Sequence, residues 1–99
     1  MSISGGDPHS QVFRQSEHVV SSRLGDAGVL VHLRSNQIFE LNATGVRIWE
    51  LIGEGLGLEA VIDAVGSEFS GDPDLVRHEV TDLVYALTRE GLLDVGRGV

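Results

Sequence analysis

The spacing of apolar residues changes between Asn36 and Ile52, where a strand gives way to a helix. From Gln37 to Leu41 apolar and polar positions alternate. Phe39 and Leu41 point one way with Gln37, and Ile38 and Glu40 point the other, the pattern of a strand with one buried face. From Asn42 onward the period is helical. Val46, Trp49 and Ile52 fall on one stripe, with Ile48 and Leu51 beside it. Asn42 stands at the junction, where its side-chain oxygen can accept from the free N–H groups of the first helical turn.

Two more strands precede this corner. His18 to Leu24 reads as a strand around Val19 and Val20, and Gly25-Asp26-Ala27-Gly28 reads as a turn, because glycine adopts positive φ without steric cost. Gly28 to Arg34 is the next strand, with Val29, Val31 and Leu33 on one face and Leu30, His32 and Arg34 on the other. Ser35-Asn36 turns into the third strand. Links this short predict an antiparallel meander. Upstream, Val12 to Glu17 carries two readings: Val12 and Phe13 dock as a short strand, or they lie loose. Met1 to Gln11 is rich in Gly, Ser, Asp and Pro and reads as a flexible tail.

Three helices follow. The first runs from about Ala43 to Gly53, weakened by Gly45 unless that glycine serves close packing. The second covers Leu58 to Phe69, with Leu58, Val61, Ile62, Val65 and Phe69 on one face. The third starts with Asp72 as N-cap, Pro73 at the first helical position and Asp74 in the first turn. Its stripe is Val76, Val80, Leu83, Val84 and Leu87, and Gly91 ends it behind Arg89. Leu92, Leu93 and Val95 then extend over the core. The expected fold is α+β: a three-stranded antiparallel sheet followed by three helices, resembling a winged helix-turn-helix. One domain is expected over 12–95, with a tail at 96–99.

Composition narrows the function classes. A chain of 99 residues makes one domain, able to bury roughly 60–65% of its unfolded surface. It has no cysteine, which removes disulfides and thiolate metal sites and fits a reducing cytoplasm. No secretory signal or membrane-length apolar run is visible, so a cytoplasmic location is expected. Seven arginines face 15 acidic residues and no lysine, for a net charge of -8. Phosphate backbones would repel such a domain, and the third helix mixes Arg77, His78, Glu79, Thr81, Asp82 and Arg89. The helix-turn-helix outline is therefore not read as nucleic-acid binding.

Catalytic chemistry is not visible either. His9, His18, His32 and His78 form no metal-ligand spacing on one element, and His78 with Asp82 reads as a surface i, i+4 pair. No nucleophile elbow, P-loop or dinucleotide fingerprint occurs. No catalytic residue, metal or cofactor is expected. Trp49, on its apolar stripe, reads as core. The sheet is more informative. The third strand carries no proline or lysine and only Glu40 as a charge, so its outer edge is poorly blunted and open to an added peptide strand.

Two patterns resemble a known family. One is Leu33 followed by Phe39-x-Leu41-Asn42-x-Thr44-Gly45-x-x-Ile48-Trp49-x-Leu51. The other is Val80-x-x-Leu83-Val84-x-x-Leu87-x-x-x-Gly91-Leu92-Leu93. Over about His18 to Val95 they resemble the PqqD family, the precursor-peptide recognition elements of ribosomally synthesised, post-translationally modified peptides. The resemblance implies a non-catalytic domain that takes the leader of a precursor peptide as an extra strand, in a groove bordered by the third helix. It implies a separate modifying enzyme or leader peptidase as second partner. Carried over by position, the leader strand lies on Asn36, Gln37, Ile38, Phe39, Glu40 and Leu41, with Gln37 to Glu40 pairing through their backbones. The helix side is assigned to Leu75, Glu79, Asp82, Leu83 and Ala86 rather than to the flank of Arg77, Thr81 and Thr88. Where PqqD proper tends to carry a Tyr-Pro-Glu-Gly-like segment, this chain has Arg34-Ser35-Asn36-Gln37, which points away from pyrroloquinoline quinone and toward a lasso-type or related peptide. Two alternatives remain: an acidic winged-helix interaction or transcription-associated module, and a homodimer closed through the same edge. The chain is expected to be a monomer or a homodimer.

Overall fold

The computed structural model describes residues 12–69 and 71–96, so the N-terminal tail, His9 and residues 97–99 lie outside the described residues. In chain order the elements are β1 (Val12–Gln15), β2 (Val19–Leu24), β3 (Ala27–His32), β4 (Gln37–Leu41), α1 (Ala43–Gly53), α2 (Leu58–Glu68), α3 (Pro73–Arg89) and β5 (Leu93–Gly96). β2, β3 and β4 form the expected antiparallel meander, in that order, and three helices follow it.

The helix starts are as the sequence predicts. Asn42 caps α1 by accepting from the Gly45 amide at 2.8 Å. Asp72 caps α3 by accepting from the Asp74 amide at 3.0 Å, with Pro73 just inside. Gly45 is at a close approach, because a Cβ there would lie 3.2 Å from the Leu41 Cβ. The strand and the first turn of α1 are thereby clamped into one corner. Trp49 is buried at 6% exposure in the core that Leu30 and Leu41 share with α1, α2 and α3. Gly28 brings β3 onto α1: a Cβ there would meet Val46 Cγ2 at 2.7 Å.

One of the two readings of Val12 to Glu17 holds, and several boundaries differ from the sequence reading, with Ala27 and Gly28 in β3 rather than in the turn. β1 is a docked strand, pairing antiparallel with β5 in a second, two-stranded sheet. Phe13 in it is 2% exposed, which explains the docking: a buried phenylalanine stabilises by about 1.5–3 kcal/mol. β5 also takes in Gly96, opposite Val12, where the sequence reading began the C-terminal tail. Leu33 and Arg34 lie in the turn after β3 and are exposed, so that strand ends at His32. α2 ends at Glu68, with Phe69 extended as its C-cap.

Candidate functional site

Among the described residues the sheet has two free edges, β2 and β4, and the turns decide which backbone groups each one offers. β2 and β3 are joined by the two-residue turn Gly25-Asp26, with Leu24 opposite Ala27. Gly25 takes φ 63, and a positive φ at the first of two central residues is the type II′ pattern. Such a turn is closed by a hydrogen-bonded pair, and pairs alternate along an antiparallel ladder. At the other end the Leu33 amide donates to the His18 carbonyl at 2.8 Å, on the same parity. Odd-numbered residues of β3 therefore bond to β2, and Gly28, Leu30 and His32 bond to β4. Their partners are Leu41, Phe39 and Gln37. It follows that Ile38 and Glu40 turn their N–H and C=O groups to the open edge.

Side chains sort by the same alternation. Gln37, Phe39 and Leu41 share the inner face with Leu30. Leu41 is buried and Phe39 packs partly buried against the core. Ile38 faces outward at 66% exposure. It stands in register with Val31 and, beyond it, Val20, forming an aliphatic row across the outer face.

The edge starts from a tightly specified turn. Asn36 holds φ 60, a left-handed conformation that asparagine tolerates, and its amide donates to the His32 carbonyl at 2.8 Å. Of the residues assigned to the leader strand, Asn36 thus lies in the turn and β4 begins at Gln37. The His32 ring accepts at Nδ1 from the amides of Arg34 and Ser35, at 3.2 and 3.4 Å. Gly91, just past α3, sits against the same ring: a Cβ there would lie 3.6 Å from His32 Nε2. One histidine therefore joins the turn before β4 to the C-terminal end of α3. Nothing in the sequence singled His32 out for this, though its inward parity beside Gln37 was readable.

The faces of α3 are set by α2. Arg77 forms a bidentate pair with Glu59 on α2, at 2.6 and 3.1 Å. This holds the Arg77, Thr81 and Thr88 flank toward α2. The flank of Leu75, Glu79, Asp82 and Ala86 is directed away from it. Leu75, Glu79 and Asp82 are exposed, and Ala86 and Leu83 are partly buried. Asp82 is engaged by His78 at 3.1 Å, the expected surface pair. Glu79 keeps the less encumbered carboxylate. Other surface charges bind elements together. Arg47 of α1 bonds Glu68 of α2 at 2.8 and 3.0 Å, and the guanidinium holds that carboxyl below its usual pKa. No group of three or more His, Asp or Glu side chains suited to a metal occurs among the described residues. No helix among them is long and apolar enough to cross a membrane.

A three-stranded sheet with an unpaired edge beside a helical layer is the geometry used by domains that receive peptides by strand addition. Residues 27–93 match the family model described as coenzyme PQQ synthesis protein D, and the chain belongs to this PqqD family. One similar solved structure is titled "TbiB1 in Complex with the TbiA(beta) Leader Peptide". It shares 37% identity and a TM-score of 0.76 over 87% of this chain and 99% of that one. A second, "Lasso peptide synthetase B1 complexed with the leader peptide", shares the fold at a TM-score of 0.73 and 22% identity, over 82% of this chain and 95% of that one. No curated protein matches the sequence significantly.

Proposed function

We propose that this protein is a non-catalytic adaptor that binds the leader of a ribosomally made precursor peptide as an added strand on β4. The observation that carries this is the open edge itself. Ile38 and Glu40 offer backbone donors and acceptors to solvent, on a strand fixed at one end by the His32 turn and at the other by the Asn42 cap. The leader complex of a relative at 37% identity supports the same reading. The leader lies along Gln37 to Leu41, and its residues directed inward meet Phe39 and Leu83. The α3 flank of Leu75, Glu79, Asp82 and Ala86 forms the far wall, where Glu79 favours a basic leader residue. The loaded adaptor then passes the precursor to a separate modifying enzyme or leader peptidase, in a lasso-type pathway.

Fluorescence polarisation tests the proposal. A labelled leader of any short precursor found encoded nearby is titrated with the wild type and with Ile38→Pro. Micromolar or tighter binding is expected for the wild type. The proline removes one edge donor and places its ring in the path of the added strand, so a loss of about tenfold or more is expected. Unchanged affinity in Ile38→Pro would exclude β4 as the leader's edge. Replacing Glu79 and Asp82 with lysine should weaken a basic leader, and no change would overturn the assignment of this flank to the groove.

A further inference from the structure

The second free edge, β2, has an architecture that complements itself. By the parity set out above, Val20, Ser22 and Leu24 bond to β3, whereas Val19, Ser21 and Arg23 face the open side. The Val19 amide is already taken by the Ser16 carbonyl, at 3.2 Å. The edge thus offers the N–H and C=O groups of Ser21 and Arg23. On the outward face β2 carries two exposed aliphatic side chains, Val20 at 50% and Leu24 at 63%. They lie at equal distances in sequence on either side of Ser22.

We propose that two copies of this chain pair antiparallel through β2, about a two-fold axis at Ser22. Ser21 of each copy then exchanges both backbone hydrogen bonds with Arg23 of the other, so the N–H and C=O groups of both residues find partners. Ser22 meets its own copy, and Val20 of each meets Leu24 of the other in closely spaced, non-hydrogen-bonded pairs on one face. An isologous contact of this kind closes at two copies. Charge points to the same occupant. The chain carries -8, but β2 contains no carboxylate, and its one charge, Arg23, is neutralised by Glu50 of its own α1 at 2.6 Å. β4 is less suited to self-pairing, because an axis at Phe39, placed as Ser22 is on β2, would set the Glu40 carboxylate of each copy against the exposed aliphatic Ile38 of the other. The outcome is a continuous six-stranded sheet whose outer row joins Ile38, Val31 and Val20 of one copy to Leu24 of the next. Both β4 edges stay at its margins, so the pairing is independent of what binds there.

Sedimentation equilibrium of the whole chain up to millimolar concentration tests this, with native-state hydrogen exchange beside it. A dimer is expected, with the Ser21 and Arg23 amides slowing in exchange as concentration rises. Ser21→Pro removes an open-edge donor without touching a β2–β3 bond, and it should weaken the dimer by about tenfold or more. Leu24→Asp, at an exposed site, should do the same by facing a carboxylate to Val20 of the other copy, and it serves if the proline variant does not fold. Ile38→Pro should leave the dimer intact. A monomer at every concentration overturns the proposal, as does a dimer indifferent to Ser21→Pro and Leu24→Asp or one abolished by Ile38→Pro.

Discussion

Neighbouring prolines on β4 should have opposite consequences. The Phe39 amide points to Leu30 of β3, and the Ile38 amide points to the open edge. Proline at 39 removes a ladder bond and sets its ring against β3, a cost of about 3 kcal/mol. It also removes a partly buried aromatic packed on the core, which adds up to about 1.5–3 kcal/mol. A domain this small has about 5–15 kcal/mol in all. Phe39→Pro should therefore lower Tm by about 15 °C or more, at roughly 4–8 °C per kcal/mol. Ile38→Pro breaks no bond within the sheet and replaces a side chain that is 66% exposed. Its cost should stay within about 1 kcal/mol, because proline is tolerated where the strand N–H faces solvent. Thermal melts by circular dichroism on the two variants and the wild type decide the matter. Equal destabilisation, or Ile38→Pro as the worse of the two, would show the hydrogen-bond parity of β4 to be reversed. Pairing at Ile38 and Glu40 would fall with it.

Other substitutions probe the corner and the surface. Gly28→Ala should destabilise by about 1–3 kcal/mol, measured by urea denaturation, because its Cβ would lie 2.7 Å from the buried Val46 Cγ2. Asn42→Ala removes the acceptor of the Gly45 amide and should cost about 1 kcal/mol in the same assay, a Tm loss of roughly 4–8 °C. Glu68 has its pKa lowered by Arg47, so its contribution is present above the ordinary carboxylate pKa and fades as pH falls through the lowered value. Melts of the wild type and Glu68→Gln should therefore differ at neutral pH and converge in acid. A gap that persists in acid would mean that the ion pair is not its source.

The corner from Gln37 to Ile52 was legible because two periods meet there and each residue type agrees with its place. Alternation gave the buried Phe39–Leu41 face, and the caps at Asn42 and Asp72 lie where short polar side chains precede apolar periodicity. The β1–β5 ribbon was not legible, since four-residue strands carry little periodicity and their pairing joins the two ends of the chain. The open edge of β4 was visible in its lack of lysine and proline. The particular groups it presents depend on register, which a two-residue turn sets and composition does not. The role of His32 depends on Gly91, far off in sequence, so only tertiary structure reveals it.

The β1–β5 ribbon has a further consequence. Val12 and Gly96 are ladder partners, so the described fold begins and ends at neighbouring points, about 5 Å apart across one antiparallel pair. A unit whose ends emerge together can be carried as an insertion in another chain, because a host loop need open by only one strand spacing to receive it. The same geometry suits tethering. A short flexible linker from this point to an enzyme subunit would hold the two at millimolar effective concentration while leaving the sheet edges unencumbered.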